Sequence, residues 1–579
     1  MQKSKEYFFK FFSPISVGIV LFCLLHLFLL SKTFVVDNRG DIRTLVAGYG
    51  DIPYHMTEIS KFAFSPIDNL NDPIFLGVKL RYPFLINFVS GMFLRLGASL
   101  HFSVLFPTFA LAVFNIFLAY LIYKKLIGSR GFAYLALLFF FLGGGLGGFA
   151  FLSNVMHGQV PVREVVQKMI QNSDSTVTRG GAVYPDQNID FGAPLTLVFM
   201  HQRTFFLGLF GFLLFFWCML RLRDESKIGL YLGAILSFSI LPFAHTHSFI
   251  AASFLYAVFF LAALFKKKWD LLKRYFLVGI IGFLVTLPQV IYIMGSEHLF
   301  SSTSSFLKIR LGWMVQPTIG SVLFPELAKP SLWSIPYLNF LWLNFGVILP
   351  IFLLACFYYF FRRKSFEQNS FVGISAIFAG IIFLLVETVQ FQPWDYDNNK
   401  LLVYFQFFAA IIIFVCLKKV YENNKIFGII LAICFLVLST FSGVIDIIPR
   451  AFTPDSDLPV IFSKEAIDVG AYIRKSVPEG DLIVTGTSHL NPINTLAGRG
   501  VLVGYPGWLW SHGINYGSRE QEIKDFYANP GASDLVHKYN AKYVLLDYQS
   551  VLDYKANQAY FEAHFQKVFE EGQYTLFKL

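Results

Sequence analysis

Four short stretches hold most of the side chains in this sequence that could do acid–base, phosphate or metal chemistry. Gly48-Tyr-Gly-Asp51-Ile-Pro-Tyr-His55-Met-Thr-Glu58 places Asp51, His55 and Glu58 at i, i+4 and i+7, one face of a helix beginning near Asp51. A carboxylate at a helix start is exposed at its tip and can accept a proton. Asp51 would equally serve as an N-cap, with Pro53 in the first turn. Phe199-Met-His201-Gln202-Arg203 offers several donors suited to a phosphate or a sugar hydroxyl, although an Arg at a membrane boundary often only snorkels. Ala244-His245-Thr-His247 has a spacing that can ligate a metal, a weak signal matched by the reading as a polar turn. Phe391-Gln-Pro-Trp-Asp395-Tyr-Asp397-Asn398-Asn-Lys400 is the densest cluster. Its D-x-D pair could hold a divalent cation through oxygen, and Lys400 could meet a phosphate as a point charge. A solvated turn whose charges balance one another is the plainer alternative.

The elements that must position these residues are set by composition. Of 579 residues, 55% are hydrophobic and only 15% charged, against about 25% charged in a soluble domain. Apolar stretches near 13–31, 103–123, 131–153, 196–220, 229–243, 246–265, 275–294, 337–361, 371–390, 399–417 and 427–447 read as eleven transmembrane helices. The first follows Lys3, Lys5 and Lys10 without a small-residue cleavage site, so it reads as an anchor and not a removable leader. The net charge of +10 lies in short runs between spans, the pattern of topology determinants and not of a nucleic-acid face. All five cysteines lie within apolar spans, so neither a disulfide framework nor a cysteine metal site is indicated.

Basic runs alternate with the spans: Lys124/Lys125/Arg130, Arg221/Arg223/Lys227, Lys266/Lys267/Lys268, Arg362/Arg363/Lys364 and Lys418/Lys419/Lys425 fall on the side of the N-terminus. By the positive-inside rule that side is cytoplasmic. Residues 82–96 are apolar but short and carry Arg95, so an interfacial or re-entrant helix keeps the parity. Stretches 32–102, 154–195 and 295–336 are then extracytoplasmic, as are the nine lip residues Asp51, His55, His201, Arg203, His245, His247, Asp395, Asp397 and Lys400. Charge at the membrane lip is costly without a role. The Gly143–Gly148 run lacks the strand and Lys-Ser/Thr of a phosphate loop and suits close helix packing.

Composition changes at about residue 448. The multi-spanning domain is assigned to 1–447, and 448–579 reads as a small extracytoplasmic α/β domain with a helix over 464–476 and strands near 481–485 and 541–546. It contains Gly498-Arg499-Gly and Gly504-Tyr-Pro-Gly-Trp508-Leu-Trp510-Ser-His512. Arg499, Trp508 and His512 there suit carbohydrate stacking and acceptor contact, or docking on the membrane surface.

With its many spans, large first outer loop bearing an interfacial helix and an acidic motif, and C-terminal α/β domain, the chain resembles the GT-C superfamily of membrane glycosyltransferases. Its tail is also similar to multi-spanning bacterial proteins of unassigned role. The GT-C resemblance implies a polyprenyl- or dolichyl-phosphate-linked sugar as donor, and transfer on the extracytoplasmic face. It also implies an acidic residue of the first outer loop acting on the acceptor hydroxyl; by position that is Asp51. Many relatives have an adjacent Asp-Glu pair where this sequence has Gly50-Asp51.

The leading expectation is therefore an inverting sugar transferase, acting from a lipid-linked donor onto a glycan, lipid or protein acceptor, among membrane lipids and without nucleic acid. Asp51 is its base, and Arg203 and Lys400 stabilise the leaving phosphate. His55, Glu58, His201, Gln202, His245, His247, Asp395, Asp397 and Asn398 are expected around the substrates. A divalent cation is a candidate cofactor. A transporter or flippase of polar-headed lipids, or an envelope scaffold, are the alternatives.

Overall fold

The structure is a computed structural model and describes residues 13–157, 189–295, 308–309, 312–314, 335–362 and 370–579. Much of the stretches 154–195 and 295–336, together with Lys3, Lys5, Lys10, Arg363 and Lys364, lies outside the described residues. The chain forms two compact units: 1–30, 108–290 and 306–453, and then 31–107, 291–305 and 454–579.

The first unit is a helical membrane bundle. Eight helices among the described residues are long and apolar enough to cross a bilayer, or up to ten if each of two bent pairs is one span. Side chains such as Leu21, Leu24, Phe276, Phe283 and Leu284 are exposed on these helices, as expected where lipid is the solvent. The chain is an integral membrane protein. Its most interior span, Asp395–Asn423, is buried over nearly all its apolar length, whereas Trp269–Met294 is mostly exposed.

Three expected spans differ in form. The stretch 131–153 is two helices, Arg130–Leu142 and Gly147–Met156, bent by 68°, and 337–361 is likewise two helices, bent by 90°. The expected span 229–243 is the 12-residue helix Ile228–Ser239 followed by the single turn Leu241–Ala244, with Pro242 at its start. At 1.5 Å per residue it falls short of the roughly 30 Å hydrocarbon core.

The first bend explains the glycine run. Backbone groups freed within a membrane must find partners inside the protein. Here Gln406 donates to the carbonyls of Phe139 and Gly143 at 2.9 and 3.0 Å. Gly144 N–H donates to the Ser439 carbonyl at 2.8 Å, and Leu146 N–H to the Leu343 carbonyl at 2.8 Å. The two bends thus meet, and a Cβ on Gly145 would strike the Leu343 carbonyl oxygen at 2.5 Å.

In the second unit, Val35–Val36, Ile42–Arg43 and Val460–Phe462 form one antiparallel sheet. A four-stranded sheet runs Leu482–Val484, Ala541–Leu546, Tyr574–Lys578, Gln566–Glu571, with only the first pair parallel. The expected tail helix is Lys464–Ser476, capped by Ser463. The first outer loop, assigned by sequence to the membrane domain, shares this unit with the tail. Ser60 donates to the Thr495 carbonyl at 2.7 Å and Ser65 to the Gly498 carbonyl at 2.9 Å. Gly498 has φ +70°, and a Cβ there would strike the Ser60 carbonyl, so only glycine suits this close approach. Residues 82–96 contain the 11-residue helix Leu85–Arg95, too short to span, packed on Asp51–Phe64.

Candidate functional site

Asp51 is the first residue of the helix Asp51–Phe64, and Gly50, not Asp51, occupies the N-cap position. Its carboxylate stands in the first turn, where the partial positive charge of the helix start favours the anion. Asp51 is half-buried, whereas residues 52–63 are buried throughout.

His55 and Glu58 lie on the face of Asp51 but are fully buried. Asn87, from the helix Leu85–Arg95, donates to Glu58 Oε2 at 2.6 Å, and its amide nitrogen lies 3.0 Å from His55 Nδ1. The Tyr54 hydroxyl donates to Glu58 Oε1 at 3.1 Å. Burial pushes the Glu58 carboxyl up to about 8 despite these two donors. Asn87 was not singled out from sequence; a lone amide in the apolar run Tyr82–Leu96 was the available signal.

Trp508 and His512 join the same helix. Tyr54 packs edge-on against Trp508 at 5.2 Å and His512 at 5.3 Å between ring centroids, and His512 stacks on Tyr82 at 5.0 Å. The Trp508 indole N–H donates to the Gly50 carbonyl at 3.3 Å, one residue before Asp51. Burial lowers His512 to about 4, so the ring is neutral at physiological pH. Arg499 has a different position: it donates to the Val477 carbonyl at 2.9 Å, at the C-terminal end of Lys464–Ser476, a capping geometry.

On the membrane unit, His201 and Gln202 form a half-buried turn, and Arg203 opens the helix Arg203–Leu222. The expected span 196–220 therefore begins later, after the short turn Pro194–Leu197. Arg203 is buried, its Nε donating to Thr108 Oγ1 at 3.2 Å.

His245 caps the helix Thr246–Phe265, accepting from Ser248 N–H at 3.2 Å. Ser248 Oγ lies 2.5 Å from the Tyr404 hydroxyl, which ties this cap to the central span. The His245 and His247 rings are 5.4 Å apart, and both lie within electrostatic reach of Lys400.

Lys400 pairs with Asp397 at 3.1 Å, both side chains largely buried. Gln392 also donates to Asp397. Asn398, expected at the substrate, instead donates to the Val389 carbonyl at 2.6 Å and shapes the turn. The Asp395 carbonyl accepts from the Trp313 indole at 3.1 Å. Among the described residues no group of three or more His, Cys, Asp or Glu side chains could hold a metal ion, so the D-x-D and H-x-H pairs lack a third ligand there. Sequence reasoning also missed Glu387, buried at the end of the helix Ser370–Thr388, which accepts from Tyr337 at 2.8 Å and Trp313 N–H at 2.9 Å. As an acid in an apolar span, it carried a signal.

No family model matches the sequence, and no curated protein aligns with it. Among solved structures, the chain is similar to an oligosaccharyltransferase of Archaeoglobus fulgidus tethered with an acceptor peptide containing the NVT sequon. The TM-score is 0.54 at 13% identity, over 97% of this chain and 74% of that one. It is also similar to ArnT from Cupriavidus metallidurans, in the apo state (TM-score 0.45, 11% identity, 97% of each chain) and bound to undecaprenyl phosphate (0.47, 9%, 97% of each). The chain shares its fold with that oligosaccharyltransferase.

Proposed function

We propose that this chain transfers a sugar from a polyprenyl- or dolichyl-phosphate donor to an acceptor hydroxyl on the extracytoplasmic face of the membrane, with inversion. The N-terminus is then cytoplasmic and the 448–579 region extracytoplasmic. The observation that carries the reading is Asp51: a half-buried carboxylate opening a helix whose next three turns are buried, in a chain with the fold of an oligosaccharyltransferase. That protein's structure holds an acceptor peptide.

In this reaction Asp51 takes the acceptor proton as the acceptor atom attacks the anomeric carbon. The bond from that carbon to the phosphate oxygen breaks, and its electron pair leaves with the lipid phosphate. Arg203 and Lys400 stabilise the negative charge that develops there. In the resting protein Asp397 balances Lys400, and a donor phosphate competes with it. His55 and Glu58 act behind Asp51, fixing its helix through Asn87.

The test is incubation of the purified chain in lipid nanodiscs with undecaprenyl-phosphate-linked sugars and a cell-envelope acceptor extract. Acceptor-dependent release of undecaprenyl phosphate supports the reading. Translocation of the donor lipid in sealed vesicles without turnover supports the transporter instead.

A further inference from the structure

Beside Asp51 the surface is open: a Cβ built on Gly50 would meet nothing within 4 Å. The Gly50 carbonyl accepts from Trp508, and from Trp508 aromatic contacts run in two directions. Inward lies Tyr54, buried in the core of the second unit. Outward, Trp508 meets Tyr505 at 5.4 Å, Tyr505 meets His489 at 5.2 Å, and His489 meets Tyr49 at 4.8 Å. The ribbon returns to the chain beside Gly50.

Core packing accounts for the inward rings but not for the outward ones. Tyr505 is 37% exposed, and Tyr49 and His489 are half-buried. His489 Nε2 is buried without a hydrogen-bond partner, an uncommon state for a polar atom in a finished interior. Burial also lowers the His489 pKa, which keeps the ring neutral. The contacts Tyr49–His489 and Tyr505–Trp508 are edge-on, at 68° and 76°, so successive ring faces point in different directions.

Such a surface has a definite chemical preference. An aromatic face carries a negative quadrupole and attracts the weakly positive C–H groups of an apolar partner. A pyranose ring presents C–H groups on its faces and hydroxyls at its rim. Those hydroxyls need neutral donors and acceptors, here the two Tyr hydroxyls. Peptides are usually held by strand addition, apolar grooves or charged clamps; the ribbon is built from the ends of two short helices and a turn and carries no charged side chain.

We infer that Tyr49, His489 and Tyr505 form a saccharide-binding platform beside Asp51. Taken with the proposed transfer reaction, on which this last step rests, it makes the acceptor a carbohydrate chain.

The experiment is saturation-transfer NMR on the full chain in detergent micelles. One probe is a panel of soluble tri- and tetrasaccharides with hexose, N-acetylhexosamine and uronic acid units; the other is a pool of random nonapeptides. The platform predicts binding to at least one saccharide, weakened about three- to tenfold in Tyr505→Ala by loss of one aromatic face and weakened less in Tyr505→Phe, which keeps the ring and loses only its hydroxyl. Tyr505 lies at the surface of its unit, and a melting curve of each variant shows that the fold is kept. Binding of peptides only, of nothing, or equal binding in Tyr505→Ala overturns the inference. Failure of the transfer reading is separate: saccharide binding by a chain that releases no undecaprenyl phosphate removes the transferase and leaves the platform standing.

Discussion

Asn87 donates to Glu58 at 2.6 Å, holding a carboxyl group that is wholly buried. Burial raises that carboxyl from 4.5 to about 8. Between those values the folded chain keeps a proton that the unfolded chain has released, so stability falls as pH rises through this window. Asp72, pushed up from 3.8 to about 7 by burial, acts in the same direction at lower pH. Glu58→Gln cannot ionise and should flatten the decline by on the order of 2 kcal/mol between about pH 5 and 8. Thermal melts of both proteins across that range check it; equal slopes would refute the assignment.

Gly145 sits where two bent helices cross, and a Cβ there would meet backbone carbonyls that cannot swing away. Gly145→Ala should cost about 1–3 kcal/mol or more. Gly131, whose Cβ position is open, should tolerate alanine with a gain of up to about 1 kcal/mol. Denaturation midpoints of the two variants in the same detergent decide this.

Lys400 and Asp397 form a largely buried pair at 3.1 Å, and on the proposed function their balance sets donor affinity. Lys400→Met should raise the KM for the lipid-phosphate donor about tenfold or more and lower the melting temperature, because Asp397 loses its counter-charge. Asp397→Asn should leave donor binding equal or tighter. Donor KM and melting temperature for both variants read this out.

The membrane spans were legible because runs of apolar residues have one physical explanation, and Lys464–Ser476 because cap and periodicity agree. The helix bends were not. They depend on partners distant in the chain, as Gln406 bonding Gly143 across 263 residues shows. The joining of the first outer loop to the tail was hidden for the same reason, with Ser60 and Thr495 separated by 435 residues. At the site, residue type was a better guide than role. Asp51 and Lys400 stood out as costly charges, but nothing local revealed that Asn398 holds a turn or that Arg499 ends a helix.

The proposed transfer depends on one carboxylate, and its sharpest test is single-turnover sugar transfer by Asp51→Asn in nanodiscs beside the unaltered chain. The prediction is a rate lower by about 10²–10⁴-fold, with a melting temperature lower by no more than a few degrees for the lost charge at the helix start. Transfer at close to the unaltered rate would contradict it.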